Sequence, residues 1–121
     1  MIHKLNDPFG GVQKLTQSIL QATELLGMYQ AELARILHVK CQDISEFAAA
    51  KRHLEPNTTT WQQAELFIRF YQALFDKMKG NEIAMHHWLR AENKQLNAVP
   101  LYLMVDDDQL QLIVEYIANE V

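Results

Sequence analysis

The sequence predicts an all-α fold, and three observations predict it. Apolar residues recur at steps of three and four along most of the chain, from Val12 to Ile117. Gly27, Pro56 and Gly80 fall between these stretches, where helices stop. No stretch shows the alternation of apolar and polar residues that a half-buried strand requires.

The elements follow in order. Pro8 and the pair Gly10-Gly11 close a short irregular start. Val12, Leu15, Ile19, Ala22 and Leu26 then share one face of a helix over 12–26, which Gly27 ends. A second helix is expected over 30–37, with Leu33, Ala34 and Leu37 on one face. A third is expected over 41–50, with Ile44, Phe47 and Ala48 inward. Pro56 biases Glu55 away from the helical region, so 54–57 is a connector.

Thr58, Thr59 and Thr60 offer caps to a long helix over 60–79. Trp61, Ala64, Phe67, Ile68, Tyr71, Leu74, Phe75 and Met78 form its stripe, and Leu66 and Phe70 broaden it. A helix this apolar is central and packed on two sides. Its surface exceeds what one neighbour covers, which points to a homodimer. A fifth helix over 82–92 is expected to bury Ile83, Trp88 and Leu89. After a polar link over 93–99, Pro100 suits the first turn of a short helix over 101–104. Asp106, Asp107 and Asp108 are placed to cap the last helix and to favour the positive end of its dipole. Leu110, Ile113, Val114, Ile117 and Val121 form its inner face.

A length of 121 residues suits one domain or two closely packed halves, here 1–57 and 58–121. The apolar fraction of 49% and charged fraction of 21% are globular values, which argues against disorder. No apolar run is long enough for a membrane helix, and the first ten residues lack a signal peptide's apolar core. Cys41 stands alone, so no internal disulfide is possible. A cytoplasmic location is the expectation. The net charge of −4 is unevenly spread. Residues 1–57 balance, whereas residues 98–121 carry five acids and no Lys or Arg. That end should repel nucleic acid and attract a basic partner.

The strongest functional signal is the stretch 30–47. Two short helices joined by a few residues need a small residue where they cross, and Ala34 supplies it. Leu33, Leu37, Val39, Ile44 and Phe47 would lock them together and to the first helix. Gln30, Leu33-Ala34, Leu37, Val39, Ile44 and Phe47 resemble the helix-turn-helix of the Xre/Cro family of phage-type repressors. That family usually has glycine in the turn at a positive φ. This chain has His38, and histidine tolerates that region better than most residues.

In such a fold the third helix enters the major groove. Its exposed start is then Lys40, Cys41, Gln42 and Asp43, followed by Ser45 and Glu46. Gln42 suits adenine, Ser45 a base or a phosphate, and Lys40 a phosphate. Lys51 and Arg52 suit the backbone just beyond. Asp43 and Glu46 face a polyanion and count against tight binding. Operator DNA is the partner expected on this side, with a helix-turn-helix used only for packing as the alternative.

A second signal lies over 87–104: Trp88-Leu89, a polar segment ending at Ala98, then Pro100-Leu101-Tyr102-Leu103-Met104. With the acidic and apolar helix over 107–119, it resembles the toxin-binding domain of Xre/MbcA/ParS-type antitoxins. The resemblance covers about residues 61–121, and Asn97-Ala98 stands where the family often has glycines. It implies a type II antitoxin that dimerises, pairs with a toxin, often of the NAD-consuming RES-domain class, and often represses its own operon. Leu112 and Tyr116 lie outside the inner stripe of the last helix and are the expected toxin anchors, with Glu115 and Glu120 as pairing charges. The alternative packs Leu112 and Tyr116 on the chain's own helices. A stand-alone repressor and a pure interaction adaptor remain open as functions.

The other polar residues read as structural. His86 and His87 are adjacent and point about 100° apart on a helix, so they do not share a metal. His3, His38 and His53 lack ligand spacing, and Cys41 lacks a catalytic partner. No nucleophile–base pair or phosphate loop stands out, so neither an enzyme nor a cofactor is expected.

Overall fold

The computed structural model describes residues 5–119. Among them are seven α-helices and no strand. They are α1 (Val12–Leu25), α2 (Gln30–Leu37), α3 (Cys41–Ala48), α4 (Thr59–Lys77), α5 (Glu82–Arg90), α6 (Pro100–Val105) and α7 (Leu110–Asn119). Asn93 and Ala98 pair as an isolated bridge that closes the α5–α6 link into a tight loop. None of the described helices is long and apolar enough to cross a membrane.

The apolar stripe of α4 organises the molecule. Ala64, Phe67, Ile68, Phe70 and Leu74 are fully buried, and Tyr71 and Phe75 nearly so. Each such large side chain contributes about 1.5–3 kcal/mol relative to exposure. α1, α2 and α7 all pack on α4. The surface assigned above to a second copy is therefore largely covered inside one chain, with Trp61, Leu66 and Met78 half-buried. Gln63 Nε2 donates to the Ile36 carbonyl at 2.9 Å, so α4 satisfies one of the free carbonyls at the end of α2. One cluster of buried residues runs from Leu15 to Ile117, continuous across residues 57 and 58.

Four helices end in the same way, with a left-handed residue and a bond from the next N–H back to the last turn. In α1 the left-handed residue is Gly27, at φ 67°, and Met28 N–H reaches the Thr23 carbonyl at 3.0 Å. A side chain there would also crowd His86, whose ring lies 3.1 Å from an ideal Cβ. The other three are His38 (φ 61°), Ala50 (φ 58°) and Lys79 (φ 53°), with return bonds Val39 to Ala34, Lys51 to Glu46 and Gly80 to Phe75, each 2.9 Å. The positive φ expected of His38 is present. Asn97 does likewise in the α5–α6 loop, at φ 55°, and asparagine adopts that region more readily than most. Thr58 caps α4 by accepting from the Trp61 N–H at 3.1 Å.

Several expectations are corrected. Ile83 is 83% exposed, because Met85 and Leu89 define the buried face of α5 and two residues turn a helix by about 200°. Trp88 is only half-buried, its ring 6.3 Å from Phe70. Ala48 is exposed, since α3 ends there and buries only Ile44 and Phe47. Asp106, Asp107 and Asp108 do not open α7. Asp106 ends α6, Asp108 is left-handed at φ 54°, and α7 starts at Leu110. The carboxylates of Asp106 and Asp108 turn to α2 instead, 2.9 Å from Arg35 and 2.9 Å from His38. Leu110, Ile113 and Ile117 are buried, Val114 is half-buried, and Val121 lies outside the described residues.

Ala50 is the least comfortable of the left-handed residues, because its methyl group gains nothing from the conformation. It is exposed, so glycine loses no packing there. Ala50→Gly should raise stability by about 1 kcal/mol, which urea unfolding measures; a loss of stability would contradict the assigned turn.

Candidate functional site

α3 packs mainly on α1 and α2 and leaves its other side open. Its N-terminus is built by Asp43, whose carboxylate accepts the Lys40 backbone N–H at 3.0 Å. The open side presents Cys41, Gln42, Ser45, Ala48 and Ala49, all exposed, and none is charged. Ser45 Oγ donates to the Cys41 carbonyl at 3.3 Å, which keeps the hydroxyl close to its own helix. Lys40 precedes this face and Lys51 follows it, both exposed.

The two acids of α3 are not free. Arg52 returns from beyond the helix end and pairs with Asp43, while its Nη1 lies 3.6 Å from the Glu46 carboxylate. The guanidinium also sits over the Phe47 ring, 5.6 Å from its centre. Asp43, Glu46 and Arg52 thus form one cluster on the flank, whereas Lys40, Cys41, Gln42, Ser45 and Lys51 remain on or beside the open face. Of the residues expected to meet DNA, Asp43, Glu46 and Arg52 are engaged with one another in this structure. The backbone N–H of Lys40, with help from Arg52, holds the Asp43 carboxyl below its ordinary value, and the same partnership raises Arg52.

α3 is held in place from behind. Thr16 Oγ1 accepts the Leu54 N–H at 3.0 Å, which ties the α3–α4 connector to α1. Arg90 of α5 donates to the Gly27 carbonyl at 3.1 Å and to Glu32 at 3.0 Å, and stacks 5.5 Å from the Tyr29 ring. His86 Nε2 lies 2.7 Å from the Leu25 carbonyl. These long-range partners leave no periodic signature, so nothing along the chain marked them.

The second candidate surface is a groove of about 500 Å³ lined by Gln95, Leu96, Leu112, Glu115, Tyr116 and Asn119. Leu112 is 45% exposed and makes the apolar lip. Tyr116 is half-buried; its hydroxyl donates to Gln95 Oε1 and accepts from Asn93 Nδ2 at 3.5 Å. Glu115 accepts from Gln111 at 2.9 Å. Leu112, Glu115 and Tyr116 are thus together, while Glu120 lies outside the described residues. Gln95 and Leu96 were missed. The signal for them was Asn93, whose Oδ1 accepts the Gln95 and Leu96 N–H groups at 2.9 and 3.1 Å and folds the loop back towards α7.

A further cavity, about 270 Å³, lies between Leu5, Tyr71, Gln72, Phe75 and Asp76. Burial, aided by the charge of Glu82, pushes the Tyr71 phenol up to about 12, so it stays protonated at neutral pH. Among the described residues no three His, Cys, Asp or Glu side chains are grouped to hold a metal ion.

The lowered Asp43 value sets a direction for acid stability. Its charged form is favoured by folding, so the contribution is present above the ordinary value of 3.8 and is lost as pH falls through the lowered one. The gap in melting temperature between wild type and Asp43→Asn should therefore be widest near neutral pH and narrow as pH is taken below 3.8. A gap that is constant with pH would refute the assigned pairing.

No family model matches the chain, and no curated protein does. Its function is therefore read from these two surfaces.

Proposed function

We propose that the chain is an antitoxin that binds operator DNA through a phage-repressor-like helix-turn-helix and docks a toxin through its C-terminal part. The observation that carries the reading is the open face of α3: small, uncharged side chains, cations at both ends, and its two acids drawn aside by Arg52. A polyanionic duplex can approach such a face closely. Gln42 offers the paired donor and acceptor that adenine matches in the major groove, and Lys40 and Lys51 are the phosphate contacts. Two half-sites one turn apart are best met by a homodimer. Because the α4 stripe is spent within the chain, that dimer would use another face.

For the toxin, the groove around Leu112 and Tyr116 supports docking. It joins an apolar lip to an aromatic with a polar tip, and its α7 wall lies in the stretch 98–121, which has no Lys or Arg. A partner with a basic rim, of the RES-domain class that the resemblance implies, fits that chemistry. The hydrogen bonds of Tyr116 to Gln95 and Asn93 favour a second reading, a stand-alone repressor whose groove is packed for its own sake. A toxin-like neighbouring reading frame separates the two.

Two experiments test the proposal. In fluorescence anisotropy with its own upstream DNA, Gln42→Ala should reduce sequence preference, and Lys40→Ala should weaken binding to every duplex and lower the salt slope by about one. Absence of wild-type binding at low salt would reject the DNA role. In co-expression with the neighbouring toxin, Leu112→Arg should lose protection while its melting temperature stays near wild type. Full protection by that variant would reject the groove. Truncating the chain before α7 would not serve, because Leu110, Ile113 and Ile117 belong to the core.

A further inference from the structure

We infer that Arg52 serves DNA binding as a positioning residue that neutralises Asp43 and Glu46, and not as a phosphate ligand; this rests on the DNA-binding reading above. Three contacts of the guanidinium carry it. Arg52 pairs with Asp43, approaches Glu46 at 3.6 Å and covers the Phe47 ring. Its Nη1 is turned to both carboxylates and its flat face to the Phe47 ring, so the group is directed at the flank of α3 rather than outward to a phosphate. Asp43 is further fixed by the Lys40 N–H, which keeps it at the start of α3 rather than swinging clear.

Charge makes the arrangement consequential. With Arg52 in place the three side chains sum to one negative charge on the flank of α3. Without it, two carboxylates stand beside a helix that approaches a polyanion, with only Lys40 and Lys51 nearby to offset them. A phosphate ligand and a neutralising residue differ in what rescues their loss. A lost ligand is not restored by removing acids, whereas a lost neutraliser is.

The test uses the full-length protein and fluorescence anisotropy over a salt series, with a duplex from its own upstream region and an unrelated duplex as probes. The variants are R52A and the triple D43N/E46Q/R52A. Asparagine and glutamine keep acceptors at both positions, so the cap on Lys40 survives. R52A should weaken binding to both duplexes by roughly tenfold or more. The triple variant should return to within about threefold of wild type, with an unchanged slope of log affinity against log salt. Failure of the triple to recover, with a slope reduced by about one per protomer, would make Arg52 a phosphate ligand. Failure to recover with an unchanged slope and a lowered melting temperature would reduce it to a brace on Phe47. Wild-type affinity in R52A would remove any role. If the wild type binds neither duplex, the DNA-binding reading itself fails and this inference with it.

Discussion

A helix that is apolar around more than half its girth cannot face water, and α4 is such a helix. Phe67, Phe70, Ile68 and Leu74 place bulk on directions that no single neighbour spans. Burying them requires helices on several sides, and the chain supplies α1, α2 and α7 from both of its ends. The N-terminal and C-terminal thirds are thereby fixed to a common support. α3, like α5 and α6, packs mainly on helices other than α4. It packs mainly on α1 and α2, which keeps it at the periphery with one side free.

The α2–α3 turn shows how backbone strain is carried without glycine. His38 takes a left-handed conformation that costs most residues about 1–2 kcal/mol. The turn returns the Val39 N–H to the Ala34 carbonyl, and the imidazole meets Asp108, itself left-handed. Arg35 and Asp106 make a second contact between the same two regions. Both pairs are largely exposed, so each is worth at most about 1 kcal/mol. Their effect is mainly to set where the end of α2 lies relative to the α6–α7 loop.

Charge is arranged differently on the two candidate surfaces. On α3 the acids are offset by Arg52 to one net negative charge and drawn to one flank, and the open face is left to uncharged side chains. On α7 the acid remains beside an apolar lip, with Glu115 accepting from the neutral Gln111. The first suits approach to a polyanion and the second suits a basic partner, which is the division of labour proposed for this chain.

The sequence by itself determined the helices, most of the core and, Ala48 apart, the exposed start of α3. Steps of three and four mark Leu15, Ile19 and Ala22 in α1 as directly as Phe67 and Leu74 in α4, because local periodicity records which side of a helix meets a core. The turn at His38 was legible too, because the resemblance to the phage-repressor helix-turn-helix implies a positive φ there and histidine tolerates it. Tertiary structure alone decided what the charges do. The triad of Asp106, Asp107 and Asp108 suited a helix cap by local rules, yet Asp106 and Asp108 meet Arg35 and His38, some seventy residues earlier. Arg52 suited a phosphate, yet it folds back on Asp43 and Glu46. Ile83 suited a core, yet α5 turns it outward. Polar side chains and helix rotation are settled by whichever partner the packed helices bring within reach, and no pattern along the chain encodes that partner's position.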